Sequence, residues 1–558
     1  MPVLIASTLL EALDRHAVES GDKVCVHFVA RGETRPQTYA ELRAEALRAA
    51  ALFGDFGLAP GSVVFIVLRH QAELYSTFLG AMYAGLTPSF LPFPTPKQDA
   101  DLYWSSHREL FRRVDPGLVL TYADNIAPLR EALEGLKAQV ADVSRVADFQ
   151  PREAGVTPLA DQVALLQHSS GTTGLKKGVM LTFGEIAVQT EGYARAIDLQ
   201  STDVVVSWLP LYHDMGLLSS FLIPVARGAT IVSLDAFEWV ARPAMLLEAI
   251  ERHGGTLSWM PNFAFNHIAR LRPSGATYDL TSMRAFIACS EPCKEETFVQ
   301  FAETFADCGV TPASVQACYA MAETVFAVTQ SRLGTPAAIC RVDGDELDRN
   351  QRVRLSPAEG RAYVGNGRPI GGLEIAIDSA DGRMPWSAAA TSTATGDIVV
   401  RGVSLFSGYY RNPEATAEAL QDGWYTTGDV GFFADGELYI CGRRKELLIV
   451  HGKNYYATDI EEAVNRIDGV KPGRAVAFAL YSERSQSEEG YVVVESERPS
   501  DTWTALKRAV KEGVFSQLDL TLQSVQIVEP GWLVKTTSGK ISRKENAQKY
   551  LAAKGAAR

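Results

Sequence analysis

The sequence predicts an α/β protein: a large N-terminal domain of layered α/β subdomains with a β-barrel-like part near its end, then a small α+β C-terminal domain. Three observations carry this. Short strands of β-branched and apolar residues alternate with helical patterns up to about residue 395. Beyond it, short strands separated by turns take over. The chain of 558 residues also exceeds one core, and the charged run GRRKE at 442–446 marks a seam.

The elements follow in order. VCVHFV (24–29), VVFIVL (63–68), VVVS (204–207), ATIVSL (229–234) and MRAFIAC (283–289) read as buried strands. In TYAELRAEALRAAALF (38–53), Thr38 and Glu41 form a capping box, and Leu42, Ala46, Ala49 and Phe53 share one helix face. Leu74 to Pro96 is 23 residues without a charge. Its prolines at 88, 92, 94 and 96 leave a helical part of about 13 residues, short of the roughly 20 a membrane span needs. This predicts a buried helix running into an extended proline loop. SAAATSTATG (387–396) reads as a surface loop, and GDIVVRG, DGWYTTGD and ADGELYICG as strands with turns. The expected organisation is an N-terminal domain over 1–441, a hinge at 442–446 and a C-terminal domain over 447–558.

Composition excludes several classes. Hydrophobic content of 46% and charged content of 22% are ordinary for a globular protein, and a net charge of -12 argues against nucleic acid. The N-terminus carries Glu11 and Asp14 and no basic lead, so no secretory signal is read. Seven scattered cysteines, with only Cys289 and Cys293 close together, predict reduced thiols in a cytoplasmic protein and no zinc site.

LLQHSSGTTGLKKGVML (165–181) raises the functional question. It leaves an apolar run for hydroxyls and glycines, then two lysines. It is no Walker loop, because the second glycine would fall at Lys176. Ser169, Ser170, Gly171, Thr172, Thr173 and Gly174 nevertheless suit an anion cradle: glycines let backbone N–H groups converge, and hydroxyls add donors. Lys176 and Lys177 supply charge for outer phosphates.

SSGTTGLKKG resembles the phosphate loop of the adenylate-forming superfamily, which includes acyl-CoA synthetases, adenylation domains and luciferases. CYAMAET (318–324), YTTGD (425–429), GRRKELLIVHGKNYYATDIE (442–461) and TTSGKISR (536–543) resemble four further family motifs in the family's order. The resemblance implies ATP as co-substrate and Mg2+ held by Glu323. It implies that Asp429 accepts the ribose hydroxyls, that Tyr319, beside Ala320, packs on adenine, and that Ser290, Glu291 and Pro292 line it. Arg443 would contact the nucleotide and Lys445 would be the pivot of a mobile C-terminal domain. Lys540 would bridge the substrate carboxylate and the α-phosphate, a task of positioning and charge stabilisation.

SWLPLYHDMGLLSSFLIP (207–224) and PNFAFNHIARL (261–271) are similar to the fatty acyl-AMP ligase branch. On that resemblance His213 lies where the nucleotide and acyl pockets meet, and Trp208, Asp214, Phe263 and Phe265 border the acyl site. The 42 residues between Glu323 and Asn366 hold an insertion at about 333–362 that in that branch restrains the hinge. The expected activity turns a fatty or other apolar carboxylic acid plus ATP into acyl-AMP and pyrophosphate. The acyl group then passes to the phosphopantetheine thiol of an acyl carrier protein acting in trans. Transfer to CoA is the alternative, and a catalytically silent acyl-nucleotide binder a remote one.

Overall fold

The computed structural model describes residues 8–95, 100–168, 177–450, 453–482, 487–535 and 541–555. Its centre is a nine-stranded sheet. Six parallel strands lie side by side in the order Val24–Ala30, Thr230–Leu234, Val204–Ser207, Leu257–Met260, Ala285–Ala288 and Val315–Ala320. Antiparallel strands complete both edges. The predicted strands all form, and they are apolar throughout because helices cover both faces of a parallel sheet.

A second, four-stranded parallel sheet contains Val63–Val67, flanked by Thr87–Phe90 and Leu118–Thr121. Thr38 caps the helix Tyr39–Asp55 with the capping box complete. The uncharged stretch becomes the buried helix Glu73–Tyr83, but the proline segment begins as a strand. Pro88 is tolerated there because Thr87–Phe90 sits at the sheet edge, where a missing N–H costs no ladder bond. No helix among the described residues is long and apolar enough to cross a membrane.

The part after residue 370 is a six-stranded antiparallel sheet containing Leu373–Ser379, Gly396–Gly402, Trp424–Ala434 and Glu437–Arg443. The 387–396 segment is a loop, but only part of it faces solvent: Ser387, Ala388, Ala389, Thr391 and Thr393 are exposed, whereas Ala390, Ser392, Ala394 and Thr395 are buried. Ser392 pins it by exchanging hydrogen bonds with the backbone of Phe433, and small side chains allow that close approach. A small C-terminal domain follows, a five-stranded sheet with helices Ala457–Asn465 and Trp503–Leu518 around one apolar cluster and helix Arg543–Gly555 packed through Tyr550 on a second. The strand Glu437–Arg443 runs into the expected hinge, leaving a single turn, Arg444–Glu446, before the next strand.

Candidate active site

The cradle segment joins two strands of an antiparallel hairpin, Val163–His168 and Gly178–Thr182, whose side chains are almost all buried. Ser169, Ser170, Gly171, Thr172, Thr173, Gly174 and Lys176 lie outside the described residues, as does Lys540. Lys177 is described. Its ammonium stands 4.5 Å from the ring centroid of Tyr409, a cation–π contact. Tyr409 is held there because the two-residue strand Gly408–Tyr409 pairs with the hairpin, Tyr409 opposite Val179.

The hydroxyl of Tyr409 donates to Glu323 Oε1 at 2.8 Å, so one tyrosine links the end of the cradle to the glutamate. Glu323 sits in a 3-10 turn, Ala322–Thr324, between strands Val315–Ala320 and Ala327–Gln330. Its carbonyl accepts from Phe406 N at 2.8 Å. Burial raises the Glu323 carboxyl above its ordinary pKa and Asp214 pushes the same way, while the hydroxyls of Tyr409 and Tyr425 pull it back. A carboxylate so placed gains from a cation. Among the described residues no group of three or more His, Cys, Asp or Glu is poised to hold a metal. Mg2+ requires only one or two carboxylates when phosphates complete its shell, so Glu323 with Asp214 nearby fits that ion.

Val325 escaped the sequence reading. It is fully buried, with φ 66° and ψ -54°, a region a β-branched residue almost never adopts. The surroundings over-determine it: Met321 N donates to Phe326 O at 2.8 Å, and the Thr324 hydroxyl reaches the carbonyls of Met321 and Phe326. A left-handed φ costs an L-residue about 1–2 kcal/mol. Val325→Gly is therefore expected to be at least as stable as Val325→Ala, inverting the usual order in which glycine is worse by about 0.5–1 kcal/mol. Denaturant midpoints of the two variants check this; a clearly less stable glycine variant rules the strain out.

The second constellation centres on Asp429. In the strand Trp424–Ala434, Thr426 pairs with Val399 and Val430 with Asp397, so three residues bulge opposite Ile398. Gly428, at φ 75°, makes the bulge possible, and Thr427 Oγ1 anchors it on Ile398 O at 2.8 Å. Asp429 is 6% exposed. It accepts from Tyr319 OH at 2.6 Å and pairs with Arg443 Nε at 3.1 Å, its cross-strand partner. Asp429 raises the Arg443 guanidinium above its already high value, and burial followed by Asp429 keeps the Tyr319 phenol far above its usual range. Tyr319 thus meets Asp429 through its hydroxyl, a role its expected stacking on adenine did not include. Ala320 ends its strand beside it.

Ser290 follows the strand Ala285–Ala288 with φ 69° and begins an exposed turn with Pro292. Glu291 Oε2 accepts from Phe263 N at 3.0 Å, tying that turn to the helix Asn262–Arg270. His213 ends the loop after Val204–Ser207, its ring 4.9 Å from that of Tyr212. Asp214 caps a buried π-helix, Met215–Leu222, through Met215 N at 2.9 Å. A Cβ on Gly216 would lie 2.3 Å from Pro210 O, so only glycine allows this turn. The apolar residues of 215–222 gave no sign of the wide helix, a form common at functional sites.

At the acyl end, Trp208 stacks on Trp239, and Phe263 stands edge-on to both. Phe265 faces the other way from Phe263. It is fully buried against Phe298 and Phe301, because residues two apart on a helix point to nearly opposite sides. Lys445 lies exposed in the turn Arg444–Glu446.

Lys177, Tyr409 and Glu323 on one side and Tyr319, Asp429 and Arg443 on the other thus gather around the carboxyl end of the parallel strand Val315–Ala320, where open α/β sheets bind ligands. Residues 13–410 match the family described as AMP-binding enzyme. The chain is 31% identical to a Caulobacter vibrioides protein named as an acyl-CoA synthetase, over 98% of this chain and 95% of that one. It is 28% identical, over 98% and 95%, to the medium-chain-fatty-acid–[acyl-carrier-protein] ligase JamA of Moorena producens. A solved structure from a study of fatty acyl-adenylate ligases of E. coli and L. pneumophila superposes with a TM-score of 0.90 at 27% identity, covering 98% of each chain. The chain belongs to the AMP-binding enzyme family and is an adenylate-forming, AMP-forming ligase.

Proposed function

We propose that the protein activates a fatty or other apolar carboxylic acid to acyl-AMP and passes it to the phosphopantetheine thiol of an acyl carrier protein in trans. The observation that carries this reading is the convergence of Lys177, Tyr409 and Glu323 on one side and Tyr319, Asp429 and Arg443 on the other. In this reading Asp429 takes the ribose hydroxyls, with Tyr319 and Arg443 fixing its carboxylate. Arg443 thereby orients the acceptor. Ser290, Glu291 and Pro292 line the base, and residues 169–177 bind the triphosphate. Glu323 would hold Mg2+, which when bound neutralises charge on the triphosphate. His213 lies between nucleotide and acid.

The substrate carboxylate oxygen attacks the α-phosphorus, the bond to the bridging oxygen breaks, and pyrophosphate leaves. Lys540 neutralises charge on the carboxylate and α-phosphate as the bond forms. The thiol then attacks the acyl carbon, loses its proton and releases AMP. Lys445 would be the pivot between an N-terminal domain ending at 441 and a C-terminal domain from 447.

The acceptor assignment is supported by the 333–362 region. Arg361 holds Asp348 bidentately at 2.9 and 2.7 Å and reaches Asp459 at 3.6 Å, while Asn454 Nδ2 donates to Asp348 O at 3.1 Å. These contacts join the insertion to residues beyond 447, as a restraint on reorientation requires. All seven cysteines are free, which suits a reducing cytoplasm. The acyl-CoA synthetase name of the Caulobacter relative favours CoA as a second reading. A panel of acids with pyrophosphate detection, followed by mass analysis with CoA and with a loaded carrier, separates them. The expected result is acid-dependent pyrophosphate release and acyl-carrier formed faster than acyl-CoA; acyl-CoA accumulating as fast overturns the carrier preference.

A further inference from the structure

Resting on the reading that this protein activates an acyl acid, we propose that the acid carries a hydrogen-bond-accepting oxygen in its distal part, received by the indole N–H groups of Trp208 and Trp239. Trp208 follows the strand Val204–Ser207, Trp239 lies on the helix after Thr230–Leu234, and Phe263 on the helix after Leu257–Met260. All three therefore stand at the carboxyl ends of adjacent parallel strands, the crevice where such sheets take ligands.

Two features of the tryptophan pair are unfavourable as packing alone. The ring centroids are 3.6 Å apart with planes at 3°, the fully overlapped arrangement that aromatic quadrupoles disfavour against offset or edge-on contact. Both indole nitrogens are also buried without an acceptor among the described residues. Trp208 is 6% exposed and Trp239 fully buried. A donor left in that state costs about 1–3 kcal/mol, and this stack holds two. Phe263, 47% exposed, contacts both rings edge-on at 6.2 and 6.3 Å and joins the pair to the surface.

The pair belongs to one buried apolar cluster with Met260, Phe265 and Phe286, all fully buried. In this proposal the acyl chain enters past the exposed Phe263 and its far end reaches the indoles. An incoming oxygen that parts the overlapped rings satisfies donors that an alkyl terminus leaves empty. The chemical class is therefore an acid with a hydroxyl, ether or keto oxygen toward its far end, and saturated acids are the poorer substrates.

The test compares a chain-length series of saturated acids with the matched ω-hydroxy and keto series, by kcat/KM for pyrophosphate release. It is run on wild type, Trp208→Phe and Trp239→Phe, which keep a ring and remove the donor. Thermal shifts with hydrolysis-resistant acyl-adenylate mimics of both series give a readout free of turnover and check that the variants fold. The expected result is that the best oxygenated acid exceeds its saturated counterpart by about tenfold or more, the worth of one such hydrogen bond, and that each phenylalanine variant shrinks that ratio. Wild type favouring saturated acids, or variants keeping the full ratio, overturns this inference alone. Pyrophosphate release with no acid of either series overturns the adenylation reading and this inference with it.

Discussion

Lys540→Ala is expected to slow acid-dependent pyrophosphate release by about 10²–10³-fold, the loss that follows removal of one preorganised donor to developing charge, about 3 kcal/mol. Lys540 follows Ser538 and Gly539, and the flanking residues Lys535 and Ile541 face each other across an antiparallel bridge. Three residues on, Arg543 is clamped by Glu446 and Glu461, each at 2.7 Å, which fixes where the segment starts and ends. Thioester formation from chemically prepared acyl-AMP separates the roles. A lysine that acts on the α-phosphate is dispensable for that second half-reaction, so Lys540→Ala should retain it. Equal pyrophosphate release by mutant and wild type removes the assignment.

The second large effect is at Asp429. Asp429→Ala is expected to weaken ATP binding by about 10²-fold or more, since two charge-assisted hydrogen bonds to ribose are worth about 1.5–3 kcal/mol each. The same change strands the buried Tyr319 hydroxyl and leaves Arg443 without its cross-strand carboxylate. Competition with a fluorescent nucleotide measures the affinity. Repeating it with 2′-deoxy-ATP discriminates the causes: wild type should lose affinity for the deoxynucleotide and the variant should not. A variant that still discriminates the two nucleotides places the ribose contact elsewhere.

Much of the fold was legible because it rests on local rules. The Thr38 capping box and the β-branched strands at 24, 63, 204 and 230 announce themselves over a handful of residues, and they formed where they were read. What stayed hidden depends on partners far away in the chain. Nothing within 387–396 says that Phe433 will bind its backbone, and the small residues that permit this read equally well as loop. Phe263 and Phe265 looked alike until the helix separated their faces. Tyr409 lies 86 positions from the Glu323 it touches, in a stretch without a motif, so only strand pairing reveals it. Val325 left no trace because a strained φ belongs to the backbone and any side chain can conceal it. The motif residues were readable by pattern, but their mutual arrangement was not.

Tyr409 makes two contacts at once. Its ring faces the ammonium at the exit of the hydroxyl-rich bend while its phenolic oxygen grips the buried acid. On the proposed assignment, in which Lys177 meets the triphosphate and Glu323 the divalent ion, one side chain touches both sites, and any coupling it transmits acts equally in both directions, since such linkage is reciprocal. Triphosphate and divalent ion should consequently enter as one cooperative unit, each raising the other's residence.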